Sequence, residues 1–434
     1  MRLVAVLALL AAGCAGGSMS PMQADPGGFV PLFNGKDLSG WVNVNCAPAT
    51  WTVKDGEILC TGKPTGILRT DRQYENYVLE LEWNHQSQKG NAGLFVNSAG
   101  LPICGQPFTK SIEVQVMLME KPHPEGHYTG QGDVFSIQGA TFVPDRPHPK
   151  GWERCLPSKH RTKPAGEWNH YKVVCTDGSV KLHVNGQEVS GGTKCNPRKG
   201  YICLESEGSP IKFRNLRIKE LPSSNPPAAE IADTDLGFLP LYTGVDLAGW
   251  KTDPANDGHW TPRNWVLDYD GKGGDLWSQK EYGDFVLVAD WRFTRKPVEK
   301  ENPVIDADGN DTGQKQKTMD AGDSGIYLRG NSKSQVNLWC WPAGSGEVYG
   351  YRTDKAMSPE VRKGVTPKAN ADNKPGQWNR IVITMKGDRL TVASNGKTVI
   401  VNAQLPGVPA RGPIALQNHG DPIQFANLYI KELP

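Results

Sequence analysis

Three short stretches in each half of the chain carry side chains suited to holding and working on a hydroxylated ligand. In residues 111–117, strand alternation puts Ile112, Val114 and Val116 on one face and Ser111, Glu113, Gln115 and Met117 on the other. Residues 335–341 repeat the arrangement, with Val336, Leu338 and Cys340 inward and Gln335, Asn337, Trp339 and Trp341 opposite. Residues 325–329 turn Tyr327 and Arg329 away from Ile326 and Leu328. Residues 414–419 turn out Ala415, Gln417 and His419, and their counterpart turns out Cys203, Glu205 and Glu207. Carboxylates and amides bond hydroxyls in pairs, and flat rings stack on sugar faces, so the outward set suits a carbohydrate. A solvated sheet face would look the same at any single position. Recurrence over three separated strands in both halves favours a binding face.

The elements that must position these residues come as a duplication. FVPLFNGKDLSGW from Phe29 recurs as FLPLYTGVDLAGW from Phe238, and YENYVLELEW from Tyr74 as YGDFVLVADW from Tyr282. NAGLFV from Asn91 matches DSGIYL from Asp323, KPAGEWNHYKVV matches KPGQWNRIVI, and IKFRNLRIKELP matches the closing IQFANLYIKELP. Five blocks in one order define a unit of about 200 residues, far longer than a solenoid repeat. The expected organisation is a signal and tether over 1–24, a first domain over 25–222, a Pro/Ala/acidic linker over 223–236 and a second domain over 237–434. Within each unit, short β-branched and aromatic runs alternate with period two between Gly, Asn, Asp and Pro turns. Asp177-Gly178, Asn185-Gly186 and Asn395-Gly396 are hairpin signals. The predicted fold class is all-β, with each unit an antiparallel jelly-roll sandwich.

Composition narrows the function classes. The 48 basic residues are balanced by 46 acidic ones with no Lys/Arg block, which argues against nucleic acid as a partner. Arg2, the apolar run 3–12 and Ala11-Ala12-Gly13 before Cys14 read as an export signal. That run is too short for a bilayer needing roughly 20 residues. Ala-Ala-Gly-Cys resembles a bacterial lipoprotein box, making Cys14 the expected lipid anchor and the membrane a partner through it. The expected location is therefore the periplasm or outer envelope of a bacterium. Export also predicts disulfides among the remaining eight cysteines, of which seven lie before the linker. No zinc spacing is present. The 306–313 segment superficially suggests a calcium loop, but Asp311 and Lys317 occupy positions that need Gly and Glu. His123, His127, His148, His160 and His170 read as surface histidines, so no cofactor is required, although a divalent metal such as calcium stays open. Trp168 and Trp378 read as packing residues.

Together LFNGKDLSGW, the YxDFVL type of strand, DSGIYLRG, the Glu113-Val114-Gln115 strand, GEWN and GPIALQNHG resemble the 3-keto-disaccharide hydrolase family. The resemblance covers the chain twice and implies two tandem concanavalin A-like jelly rolls. The second copy keeps Asp323 to Gly330 and Leu416-Gln417-Asn418-His419-Gly420 intact. The first has Asn97 where the Arg falls and Leu204-Glu205-Ser206-Glu207-Gly208 in place of the LQxHG type, yet it retains Glu113-Val114-Gln115, which the second replaces with Gln335-Val336-Asn337.

The resemblance implies cleavage of 3-keto-glycosides by elimination and hydration. A C3 ketone acidifies the C2 hydrogen, a base removes it, the aglycone leaves C1, and water adds back to the enone. This needs a base, an acid for the leaving oxygen and a donor or metal at the enolate oxygen. In the first copy, Glu113 with Glu207 or Glu205 are candidates for base and acid, with Gln115 orienting and Asn97 in the ligand shell. In the second, His419 is the candidate base and Arg329 the enolate stabiliser, with Tyr327, Gln335, Asn337, Trp339 and Gln417 as substrate contacts. The rival readings are a non-catalytic carbohydrate-binding protein, one catalytic beside one binding copy, or a purely structural role at the envelope.

Overall fold

The computed structural model describes residues 24–118, 130–235 and 237–434. Cys14 and the expected export signal, with His123 and His127, lie outside them. Strand accounts for 49% of the described residues and helix for 4%, so the all-β expectation holds. No described helix is long and apolar enough to cross a membrane.

Each copy is a sandwich of two antiparallel sheets. In the first, a nine-stranded sheet centres on Tyr77–His85, flanked by Asn169–Thr176 and Ile211–Glu220. Its partner is seven-stranded, running Arg154–Cys155, Val134–Ile137, Ser111–Met117, Asn91–Ser98, Tyr201–Ser206, Gly66–Thr70 and Trp41–Val44. The second copy pairs an eight-stranded sheet centred on Phe285–Phe293 and Ile423–Glu432 with a four-stranded one. The four run Leu276–Tyr282, Gly412–Leu416, Asp323–Leu328 and Asn331–Trp339.

Alternation builds the cores. Tyr77, Leu79, Leu81 and Trp83 point inward to meet Leu94, Val96, Ile112, Val114 and Val116 from the facing sheet, all at most 1% exposed. Ile326, Leu328, Val336, Leu338, Ile414 and Leu416 do the same in the second copy. The hairpin signals perform as expected: Asp177, Asn185 and Asn395 adopt φ of 48°, 47° and 48°, each followed by a left-handed Gly, the geometry of a type I′ turn.

The disulfide expectation is not met. All eight described cysteines are free thiols, six buried and Cys104 and Cys340 half-buried. Cys46, Cys60, Cys155, Cys175 and Cys195 pack as small apolar side chains within the first core.

The copies also differ where the sheets end. After Asn331–Trp339 the second copy has two short helices, Tyr349–Arg352 and Pro359–Gly364, where the first continues its sheet with Val134–Ile137. The hairpin Val298–Ile305 with Asp311–Asp320 extends from the second copy, its tip held to the second helix by Lys363 on Asp308 at 2.7 Å. Asp306 accepts from the backbone of Asp308 and Asn310, so it caps its own turn.

The two sandwiches pack face to back. Val44, Ile67, Phe95, Tyr201 and Cys203, on the outer face of the seven-stranded sheet, meet Val288 and Tyr429 on the back of the second copy. Asp290, fully buried, takes both Nε and Nη2 of Arg380 at 2.6 and 2.9 Å and the backbone N–H of Gly105 at 2.9 Å. Arg380 also donates to Pro102 O, and Asn45 donates to Asn427 Oδ1 at 2.8 Å. Trp378 belongs to this junction: a Cβ on Gly105 would fall 2.3 Å from its ring. Cys203, which alternation nominates for the outward face of the first copy, is therefore covered by the second.

Candidate functional site

In the second copy the outward face stays open. Gly325 pairs with Asn337 and its carbonyl accepts the backbone N–H of Gln417, so three strands meet at a residue without a side chain. The space is filled by Gln335, whose Nε2 lies 2.2 Å from where a Cβ on Gly325 would stand. Gln335 donates from Nε2 to Gln417 Oε1 at 2.6 Å. Beside this amide row, Asp323 opens its strand and His419 follows the Gly412–Leu416 strand. Asp323 Oδ2 and His419 Nδ1 stand 4.0 Å apart.

These groups line a cavity of about 300 Å³ together with Trp339, Trp341 and Tyr349. The two indoles stack with centroids 4.1 Å apart and planes 7° from parallel, and Trp339 Nε1 donates to Gly344 O. Tyr349, from the first short helix, meets Trp339 edge-on. Asn337 is 3% exposed, and its Oδ1 has no hydrogen-bond partner among the described residues. A buried acceptor without a donor is costly, so this oxygen is suited to a ligand hydroxyl.

Burial pushes the Asp323 carboxyl up to about 6, with His419 opposing and Asp421 adding to the rise. Asp421 fixes it from behind, accepting the Asp323 backbone N–H on Oδ2 and Arg295 on Oδ1.

Asn337, Gln335, Trp339, Gln417 and His419 thus converge as expected. Tyr327 sits one pair further along, stacked on Trp277 at 5.7 Å and outside the cavity lining, with its phenol close to Gln417. Arg329 does not join them. It is 1% exposed and locked by Gly283 O, Gly387 O, Pro409 O and Asp284 Oδ1. The reason is local: the ladder shifts register between Tyr327 and Leu328, and Arg329 takes φ of 53°, so alternation fails at that residue. Asn97 adopts φ of 56° at the equivalent place and is 1% exposed, away from the carboxylates of its copy.

In the first copy Gly93 pairs with Gln115, and Phe95 with Glu113. Glu205 Oε2 and Glu113 Oε1 lie 2.8 and 3.0 Å from where a Cβ on Gly93 would stand. Gln115 donates to Asn91 Oδ1 at 2.8 Å, and Asn91 donates in turn to Glu207. Glu113, Gln115, Glu205 and Glu207 are therefore gathered as expected. Glu113 and Glu205 are 6% and 1% exposed, and burial, followed by repulsion from Glu207 at Glu113 and from Glu113 at Glu205, lifts both well above the usual carboxylate range. Arg154 approaches, but it is bound to the buried Asp133 at 2.7 Å and lies over the Phe135 ring.

Asp323, Asn91 and Tyr349 were not among the expected site residues, whereas Trp341 was expected on this face. Period two counted back from Gly325 and Gly93 would have found Asp323 and Asn91, whereas Tyr349 carries no local signal. Among the described residues no group of three His, Cys, Asp or Glu is placed to hold a metal ion.

A curated 3-keto-disaccharide hydrolase of Bacteroides thetaiotaomicron is 23% identical over 252 residues, covering 46% of this chain and 80% of that protein. Among solved structures, a candidate glycosyl hydrolase from Parabacteroides distasonis is 25% identical with a TM-score of 0.35, covering 45% of this chain and 95% of its own. The carbohydrate binding module CBM66 from Bacillus subtilis is 11% identical with a TM-score of 0.30, covering 42% and 96%. The family model described as a 3-keto-alpha-glucoside-1,2-lyase-like domain matches residues 28–219 and again 237–431, and the chain belongs to that family.

Proposed function

We propose that the second copy cleaves 3-keto-glycosides by elimination and hydration. The observation that carries the reading is the Asp323–His419 pair at the edge of an open cavity lined by amides and indoles. The sugar ring lies against Trp341, which the buried Trp339 backs, and its apolar face replaces water on that indole. Amide N–H groups of Gln417 and Asn337 hold the C3 oxygen as charge builds on it. His419 takes the C2 proton, the C1–O bond breaks, and the protonated carboxyl of Asp323 gives its proton to the leaving oxygen. Water then adds: Asp323 takes its proton as the hydroxide bonds C1, and His419 returns its proton to C2, so the sum is hydrolysis and both groups are restored. Asp323 fits the acid role because burial keeps a fraction of it protonated near neutral pH.

The test is release of 4-nitrophenol from a 4-nitrophenyl 3-keto-glucoside by the full chain, with His419→Ala and Asp323→Asn each lowering its rate by about 10²-fold or more. Saturable binding of the same glycoside without release would instead establish a carbohydrate-binding protein. The export reading is likewise proposed: an envelope protein anchored by lipid on Cys14 incorporates labelled fatty acid in a bacterial host and loses the label in Cys14→Ser.

A further inference from the structure

The two copies place different charge on the same framework. By strand register, Asp323, Gln335, Asn337, Gln417 and His419 of the second copy stand where Asn91, Glu113, Gln115, Glu205 and Glu207 stand in the first. One carboxylate is replaced by three, and the histidine is gone. Two of the three are buried with little among the described residues to neutralise them: Arg154 is already held by Asp133. Glu205 Oε2 is wholly buried and accepts no hydrogen bond among the described residues, while its partner oxygen on Glu113 converges on the same gap above Gly93. Buried carboxyls left this way stay protonated until a positive partner arrives, and a cation placed among them restores the ionised, acceptor-only form. Glu207 is half-buried beside Asn91, so the cluster reaches the surface at that end.

We propose that the first copy binds a sugar carrying a free ammonium group, an amino sugar, through Glu205, Glu113 and Glu207. An ammonium offers three donors and no acceptor, matching acceptor-only carboxylates. A bare metal ion is the poorer fit, because it needs several oxygens about one point at roughly 2.3–2.6 Å, and no such group of three is formed. The Gln115 and Asn91 amides supply the hydroxyl contacts that Asn337 and its neighbours supply in the other copy. This goes beyond the cleavage reading and does not depend on it.

The test is calorimetric titration of the full chain at neutral pH with methyl glucosaminide, methyl N-acetylglucosaminide, methyl glucoside and calcium chloride. The glucosaminide is expected to bind at least tenfold more tightly than the N-acetyl or hydroxyl forms. Glu205→Gln, which installs the amide the second copy tolerates at that position, is expected to lower the glucosaminide affinity at least tenfold. The half-buried Glu207→Gln serves as a second variant should the first fail to fold, with the same direction of effect. Equal affinity for the N-acetyl form, indifference to both Glu variants, or a calcium isotherm that abolishes glucosaminide binding overturns the proposal. Loss of 4-nitrophenol release from the keto-glycoside is read separately, so failure of the cleavage reading leaves this result interpretable.

Discussion

His419 Nδ1 lies 4.0 Å from Asp323 Oδ2, although 96 residues separate them in sequence and each sits at the end of a different strand. The two reach one another because Asp323–Leu328 and Gly412–Leu416 are neighbours in the four-stranded sheet, paired through Ile326 and Leu416. At that distance the two make no direct hydrogen bond to each other.

With Asp323 as proton donor, activity falls as pH rises through about 6, because the donor form is then lost. Asp323→Asn removes that limb of the kcat/KM profile and lowers kcat by about 10²–10⁴. A profile that keeps its alkaline limb in the variant assigns the titration elsewhere.

The same carboxyl sets a stability trend. Its folded value, about 6, lies above the ordinary 3.8, so ionisation costs more in the folded chain than in the unfolded one. The cost is absent below about pH 3.8 and complete above about pH 6. Asp323→Asn is therefore expected to raise stability by about 1–3 kcal/mol at pH 7 and to change little at pH 3.5, measured by denaturant unfolding at both.

Arg329→Ala is expected to act on folding. Its guanidinium ties four backbone or carboxylate oxygens at one end of the sandwich, and removing one partner of a buried pair costs about 3–5 kcal/mol. Unfolding midpoints should drop sharply while kcat per folded molecule stays at the native value. A fall in kcat without loss of stability would return this residue to the catalytic set.

Gly325→Ala drives a methyl into Gln335, whose Nε2, Cγ and Cδ all lie within 2.8 Å of the new atom. The amide must swing away and give up Gln417, removing about 1 kcal/mol of hydrogen bonding. A KM raised roughly fivefold to tenfold with a near-native melting temperature is the expected signature.

Asp290→Ala strips the acceptor from Arg380, Gly105 and Asn427 together. Loss of about 3–5 kcal/mol at the junction should split urea unfolding into two transitions, one for each sandwich. A single transition unchanged in steepness would mean the copies are coupled chiefly by the apolar contact of Phe95 and Tyr201 with Val288 and Tyr429.

Much of the site was legible because face selection is local. Once residues 111–117, 335–341 and 414–419 read as strands, pleating alone put Glu113 with Gln115 and Gln417 with His419, and the internal repeat carried the same face into both copies. Where backbone regularity ends, that logic ends too: a left-handed φ at Arg329 and Asn97 removed both from the face assigned to them. Inferring disulfides from export failed for a related reason, since compartment says nothing about which thiols are brought together.

The amino-acid order by itself determined the duplication, the all-β sandwiches and the row of amides and acids each copy lines up, all consequences of period two and turn chemistry. Only the tertiary structure decided which row is open. The back of the second sandwich covers Phe95, Tyr201 and Cys203 on the outer face of the first, and a short helix brings Tyr349 to wall the cavity of the second. Those contacts join residues hundreds of positions apart, and no local periodicity encodes what lies across from a strand.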